Sequence, residues 1–311
     1  MRELIVLGTA SQVPTRTRNH NGYLLRWDGE SLLFDPGEGT QRQMIHAGVA
    51  APSITRICLT HVHGDHCFGL PGVLARMAVD GADHPVHLHY PAAGEEVVRA
   101  LVALAGPGVD VRLVPHGSAD EVAPGLTVVP LRHRIAAFGY RLVEPDGRTL
   151  VPEQLAAVGL SGPAVGRLQR EGRVDGVRLE DVSVPRRGQR FALVMDTAVC
   201  AGAEELADGA DLLVTESTFA DEDADLAGAY LHLTAGQAGG LAGHGGAGTL
   251  VLTHFSARYP DVTHLAAQAR ARAGQARVVA AADLDRFVLP PRRPPSAPPH
   301  RPPSAPPRQT P

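Results

Sequence analysis

Four side chains able to bind a metal ion lie within six residues: His61, His63, Asp65 and His66, in the run Thr60-His61-Val62-His63-Gly64-Asp65-His66. The apolar stretch before them, 54–60, reads as a strand, and 68–77 reads as a helix, so the cluster occupies a strand-to-helix turn. In extended backbone, His61 and His63 project to the same side. Where the chain turns toward the helix, Asp65 and His66 can address a second centre. Imidazole suits zinc, and a carboxylate can bridge two ions. Three further candidates, His133, Asp196 and His254, each follow an apolar run (126–131, 191–195 and 249–253). Together the seven supply five imidazoles and two carboxylates, a set that suits two metals if one carboxylate bridges. A bound metal can lower the pKa of water to roughly 7, so the constellation points to metal-dependent hydrolysis.

The elements that must position these residues are short. β-branched or Leu-rich runs at 3–7, 23–26, 31–34, 56–60, 86–89, 126–131, 191–195, 212–215 and 249–253 are each bounded by Gly, Pro or Asp, as buried strands are. Helix-like stretches lie at 94–104, 234–241 and 263–273. Many strands with helices interposed predict an α/β protein whose sheets are covered by helices. An αββα sandwich and a doubly wound sheet both satisfy that pattern.

Composition bounds the function. Hydrophobic residues make up 44% of the 311 and charged residues 20%, enough for a sizeable core. The net charge of −4 argues against a generally basic nucleic-acid-binding surface, while leaving room for a local basic patch. All 29 basic residues are Arg. Cys58, Cys67 and Cys200 form no even-numbered disulfide framework. The N-terminal apolar run is too short for a secretory signal, and no stretch is long and apolar enough to span a bilayer; a cytoplasmic protein with no membrane partner is expected. Residues 146–190 are rich in Gly, Pro and Arg with only short apolar patches, which predicts a long surface excursion. Residues 290–311 reduce to Pro, Arg, Ser and Ala almost throughout, the composition of a disordered, polyproline-like tail. The expected division is a domain over 1–289 containing the 146–190 insertion, followed by the tail.

Thr-His-x-His-x-Asp-His resembles the signature of the metallo-β-lactamase fold, and His133, Asp196 and His254 match its later ligand motifs. The resemblance implies an αββα sandwich with metals at one edge. It implies that His61, His63 and His133 hold one zinc, that Asp65, His66 and His254 hold the other, and that Asp196 bridges them. Several segments are further similar to the ribonuclease Z family, which trims the 3′ trailer from tRNA precursors. They are Leu7-Gly8-Thr9 with Pro14 and Arg18-Asn19, the stretch 34–43, Glu216-Ser217-Thr218-Phe219, and His232-Leu233-Thr234-Ala235 with Gln237. The insertion, with Gly159-Leu160-Ser161-Gly162-Pro163 and Pro185-Arg186-Arg187-Gly188, looks like that family's protruding tRNA-binding arm. The likeness runs from Met1 to about Leu289. Departures are Met195 where Gly is usual, Leu233 where a small hydroxyl residue is common, and an arm that is short and lacks Lys.

That resemblance implies an endoribonuclease acting on precursor tRNA with two Zn2+ per chain, Mn2+ being the other candidate. It implies a homodimer and products with a 3′-hydroxyl on the tRNA and a 5′-phosphate on the trailer. Asp65 would orient or deprotonate the nucleophile. His232 would donate a proton, its competing role being to cap the helix near Thr234. Among the arm arginines, Arg167, Arg170, Arg186 and Arg187 would contact tRNA phosphates. Asp35 and Glu38 are candidates for holding metal-bound histidines, and turn or cap roles suit them nearly as well. Two rival readings are another hydrolase of the same fold, such as a small-molecule phosphodiesterase or lactonase, and a non-catalytic RNA-binding scaffold. The filled set of seven ligands argues against the scaffold.

Overall fold

A computed structural model describes residues 2–289; the Pro/Arg-rich tail expected over 290–311 lies outside the described residues. Two seven-stranded sheets form the larger unit. The first runs, edge to edge, Arg286–Val288, Glu3–Gly8, Gly22–Trp27, Glu30–Phe34, Arg56–Cys58, Val86–Pro91 and Val111–His116. The second runs Arg277–Ala280, Thr249–Thr253, Leu212–Glu216, Arg190–Val194, Ala137–Val143, Leu126–Leu131 and Asp120–Ala123. Each sheet joins three antiparallel pairings to three parallel ones.

The alternation along each strand explains how the layers form. Successive side chains point to opposite faces, so a strand that is apolar throughout is covered on both sides. In Glu3–Gly8, Leu4 and Val6 face the second sheet, while Ile5 and Leu7 face helices. In Arg190–Val194, Phe191 and Leu193 face the first sheet, while Ala192 and Val194 face helices. The inter-sheet core holds Tyr23, Phe34, Phe138, Tyr140, Phe191 and Val251. Outside it, the helices Leu70–Val79 and Glu95–Leu104 cover one sheet, and Ala201–Ala207, Ala235–His244 and Thr263–Arg270 cover the other. Of the two architectures left open by the strand pattern, this is the αββα sandwich.

Some elements depart from the sequence reading. The helix expected at 68–77 is Leu70–Val79, preceded by one turn, Gly64–Cys67, that carries Asp65 and His66. The helix expected at 234–241 is Ala235–His244, three residues longer at its C-terminal end. Gly243 lies inside the helix Ala235–His244, and a Cβ there would come 2.4 Å from the Arg272 carbonyl oxygen. Polar edge strands such as Asp120–Ala123 carry too little apolar signal to be read from periodicity.

The described chain divides between 144 and 145 and again between 189 and 190. The segment between these points, expected as a long surface excursion, is a small folded unit. It contains the helices Pro152–Ala157 and Pro163–Glu171 and two short two-stranded sheets. Its scattered apolar residues meet: Leu160, Leu168, Val174 and Val182 are buried against Leu150, Leu155 and Val177. They lie too far apart in sequence to show a period.

Candidate metal centre

The site is built at strand ends. Asp196, Glu216 and His254 stand at or just beyond the C-terminal ends of three adjacent parallel strands, Arg190–Val194, Leu212–Glu216 and Thr249–Thr253. That edge is where open α/β sheets place ligands, because side chains there project beyond the last ladder bond into a crevice. His61 follows the parallel strand Arg56–Cys58 of the other sheet, and His133 follows Leu126–Leu131. A bridge between Arg132 and Ala198 ties the His133 loop to the Asp196 loop, and one between Phe219 and Thr234 ties down the segment carrying His232.

The fold brings all seven sequence-derived candidates together in two groups. His61, His63, His133 and Asp196 form one; Asp65, His66 and His254 form the other, and Asp196 also meets His254 and His232. Within each group one donor atom per residue lies within 4.8 Å of every other. In the first, His61 Nε2 is 2.9 Å from His63 Nδ1 and 3.5 Å from Asp196 Oδ2, and His133 Nε2 is 3.4 Å from His63 Nδ1. In the second, His66 Nε2 is 3.3 Å from His254 Nε2 and 3.4 Å from Asp65 Oδ2. Asp196 Oδ1 reaches this group at 3.3 Å from His66 Nε2 and 3.1 Å from His254 Nε2, so the two oxygens of Asp196 face different groups. Nitrogens about 2.0–2.1 Å from a tetrahedral zinc would be about 3.3–3.4 Å apart.

Protons decide whether this arrangement wants a cation. Thr60 Oγ1 gives its single proton to Asp35, so it accepts from His61 Nδ1 at 3.0 Å. Thr218 Oγ1 gives its proton to Glu216 and accepts from His254 Nδ1 at 2.8 Å. His66 Nδ1 donates to Asp35 Oδ2 at 2.9 Å, and His133 Nδ1 donates to the Leu231 carbonyl at 3.1 Å. Each of these four rings is thereby anchored through Nδ1 and turns its Nε2 inward, toward other imidazole nitrogens and carboxylate oxygens. Asp196 Oδ1 is buried with no hydrogen-bond partner, an exception that calls for an explanation. Imidazole nitrogens and carboxylate oxygens converging at this spacing form a donor set that fits metal ions.

Burial opposes a charge on His66, yet Asp196, Asp65 and Asp35 outweigh it and raise its pKa well above the ordinary value, so the carboxylates of the centre favour a cation there. Burial pushes the His61 pKa well below its ordinary value, with His66, His63 and His133 adding to the effect, so the ring is neutral as a ligand must be. Burial would raise the Asp196 and Asp65 carboxyls, yet the surrounding imidazoles outweigh it and hold both well below the usual carboxylate range. His232 behaves oppositely. Burial disfavours its charge, but Glu216 and Asp196 outweigh that and raise its pKa to about 9. Its Nδ1 lies 3.0 Å from Glu216 Oε1, and its Nε2 lies 3.9 Å from Asp196 Oδ2. The competing cap role goes to Thr234, whose hydroxyl accepts from the Gln237 amide.

Backbone strain accompanies this packing. Gln12, Asp35, Leu231 and His254 all have positive φ (57°, 45°, 58° and 57°), uncommon for residues other than glycine and concentrated at functional sites. Each touches the centre: the Gln12 amide donates to Asp65 Oδ2 at 2.8 Å, and the other three act as described. Gly37 is required by proximity, since a Cβ there would lie 2.2 Å from the Asp65 carbonyl oxygen.

Asp35, one of two candidates for holding a metal-bound histidine, hydrogen-bonds His66. Glu38 lines the cleft, and among the described residues its side chain makes no hydrogen bond to a ligand. Three contributors were missed. Glu216 and Thr218 stand in a segment whose sequence invited attention, and Glu216 ends a strand on the same edge as Asp196. Asn21, fully buried with Nδ2 3.1 Å from His66 Nε2, had no such signal. Arg167 and Arg170 lie exposed on the helix Pro163–Glu171, Arg186 ends the strand Ser183–Arg186, and Arg187 follows it, so all four belong to the smaller unit. The metal groups open onto a cleft of about 800 Å³, within the larger unit, lined by His63, Asp65, Phe68, His133, Arg134 and His232 among others.

Comparison with known proteins sets this site in context. The model of the metallo-beta-lactamase superfamily matches residues 15–151. A ribonuclease Z of Streptomyces avermitilis is 54% identical over 301 residues, covering 94% of this chain and 99% of that protein. A ribonuclease Z of Chlamydia muridarum is 42% identical over 268 residues, covering 83% and 88% respectively. Among solved structures, the short form of human tRNase Z is similar in fold, with a TM-score of 0.65 at 24% identity, covering 93% of this chain and 99% of that one.

Proposed function

The chain belongs to the ribonuclease Z family of the metallo-beta-lactamase superfamily, and from that premise we propose how its residues carry out tRNA 3′ processing. It is an endoribonuclease that removes the 3′ trailer from tRNA precursors. Our reading is that it does so with two zinc ions, leaving a 3′-hydroxyl on the tRNA and a 5′-phosphate on the trailer. The observation that carries the metal reading is the inward convergence of imidazole Nε2 atoms on Asp196 and Asp65. Imidazole-rich sites suit zinc, with manganese the alternative.

His61, His63 and His133 would hold one ion, Asp65, His66 and His254 the other, and Asp196 would bridge them. When bound, such ions polarise phosphoryl oxygens and lower the pKa of water. Asp65, oriented by the Gln12 amide, would take the proton of the attacking water. The new bond joins that water's oxygen to phosphorus, and the bond from phosphorus to the tRNA 3′ oxygen breaks. His232, kept charged by Glu216 and Asp196, would give its proton to the departing 3′ oxygen.

In the smaller unit, Arg167 and Arg170 stand three residues apart on one helix and therefore share a face. With Arg186 and Arg187 they would meet tRNA phosphates, which position a substrate without reading its sequence. A cytoplasmic homodimer completes the proposal. Among the described residues no helix is long and apolar enough to cross a membrane. Incubating the protein with a 3′-extended precursor, with and without chelator, and mapping the product ends tests the reading. Cleavage at the end of the acceptor stem that chelator abolishes is expected. No cut there by metal-loaded protein would overturn it.

A further inference from the structure

Among the described residues, the large hydrophobic side chains left substantially exposed include two aromatics, Phe68 at 61% and Tyr230 at 43%, and both line the metal cleft. Every other exposed member of that group is aliphatic. Phe68 comes two residues after His66, beside the group formed by Asp65, His66 and His254. Its ring lies over Gly64, where an added Cβ would come 2.4 Å from it, so the backbone holds the ring at the rim. Tyr230 lies nearly parallel to Phe219, with ring planes at 14° and centroids 6.3 Å apart. The guanidinium of Arg134 sits 4.6 Å from the Tyr230 centroid. Arg134 directly follows His133 and so stands beside the other metal group. It is exposed, donates to the Ala229 carbonyl, and makes no ion pair with any described residue. The cleft therefore carries a bare ring beside one metal group and a ring-backed guanidinium plane beside the other.

Exposed aromatic faces and guanidinium planes are the surfaces on which unpaired nucleobases stack. We propose that Phe68 and the Arg134–Tyr230 pair are stacking platforms for the two nucleobases flanking the scissile phosphate, holding that phosphate between the metal groups. This inference rests on the ribonuclease reading above and adds to it the residues that grip the single-stranded bases. Stacking rather than charge distinguishes it from simple phosphate binding.

The test uses full-length, metal-loaded protein and 3′-extended tRNA precursors carrying either all natural bases or one abasic nucleotide immediately 5′ or 3′ of the cut. Phe68→Ala is expected to lower kcat/KM on the natural precursor by about fivefold to a hundredfold. On the precursor whose abasic nucleotide removes the stacked base, the same change should cost less than about twofold, because there is no stacking left to lose. Phe68→Trp should restore activity, whereas Phe68→Leu, apolar but without a π face, should not. Arg134→Lys keeps the charge and loses the plane, so it should behave like a loss at the other position. Metal content and melting temperature should stay unchanged in all variants. Equal losses on natural and abasic precursors, or full activity in Phe68→Leu and Arg134→Lys, would overturn the platforms while leaving the ribonuclease reading intact. A wild-type protein that cuts no precursor would overturn both.

Discussion

At the scale of single residues, the centre depends as much on where protons are kept as on which atoms could bind metal. Thr218 shows this. Its hydroxyl passes its proton to Glu216 and thereby becomes the acceptor that fixes the His254 ring. Thr218→Val keeps the volume and removes that acceptor, so His254 is no longer fixed in one tautomer. Metal affinity should fall by about tenfold to a hundredfold, as read by competition with a chromophoric chelator; unchanged affinity would remove Thr218 from the site. Glu216→Gln tests the other branch. Losing the carboxylate that keeps His232 charged should lower kcat by about a hundredfold or more with little effect on KM, measured at saturating precursor. A purely structural Glu216 would show itself instead as a lower melting temperature at unchanged kcat in the surviving folded protein.

Elements matter through close approach and separate folding. The turn carrying Asp65 and His66 is pressed against Gly37, so Gly37→Ala must displace one of the two backbones. Overpacking of this kind costs about 1–3 kcal/mol, and displacement of the ligand turn should lower bound metal at the same time. Denaturant unfolding together with metal analysis checks both; a variant as stable and as fully loaded as the parent would show that the turn relaxes freely. The smaller unit has its own apolar cluster around Leu168 and Val182. Replacing 151–185 with a short Gly-Ser linker should therefore leave hydrolysis of a small activated phosphodiester nearly intact while crippling precursor cleavage. Equal loss on both substrates would argue against a substrate-binding arm. The steep salt dependence expected of phosphate contacts should shrink in the same variant.

For the whole molecule, two histidines outside the metal centre link folding to pH. Burial, with the nearby Arg56 and His116, pushes the His89 pKa down to about 3, and burial alone drives His116 down to about 4. His116 packs against Phe138 in the second sheet, its ring centroid 4.7 Å away. Both rings are neutral when folded, whereas an unfolded histidine takes up a proton near pH 6.5. Their contribution is thus fully present above about pH 6.5 and is lost as pH falls toward 4, at up to about 1.4 kcal/mol per pH unit for each ring. Urea unfolding at pH 7 and pH 5 should show a smaller loss of stability in a His89→Leu, His116→Phe variant than in the parent. Identical pH dependence in the two would rule these rings out as its source.

What the sequence alone determined is what lies close along the chain. The four candidate ligands between residues 61 and 66 are legible because strand alternation and one turn suffice to orient them. His133, Asp196 and His254 are legible because each ends an apolar run, and the strand pattern with the motifs led to the αββα layers. Tertiary structure alone decided the rest, because those contacts join residues with no local relation. Asp35 reaches His66 across 31 positions, Thr218 reaches His254 across 36, and Asn21 reaches His66 across 45. The positive φ of Asp35, Leu231 and His254, the pairing of Glu216 with His232 and the small core of the inserted unit likewise follow from packing. Strain and proton placement become definite only once the two sheets hold every partner in place.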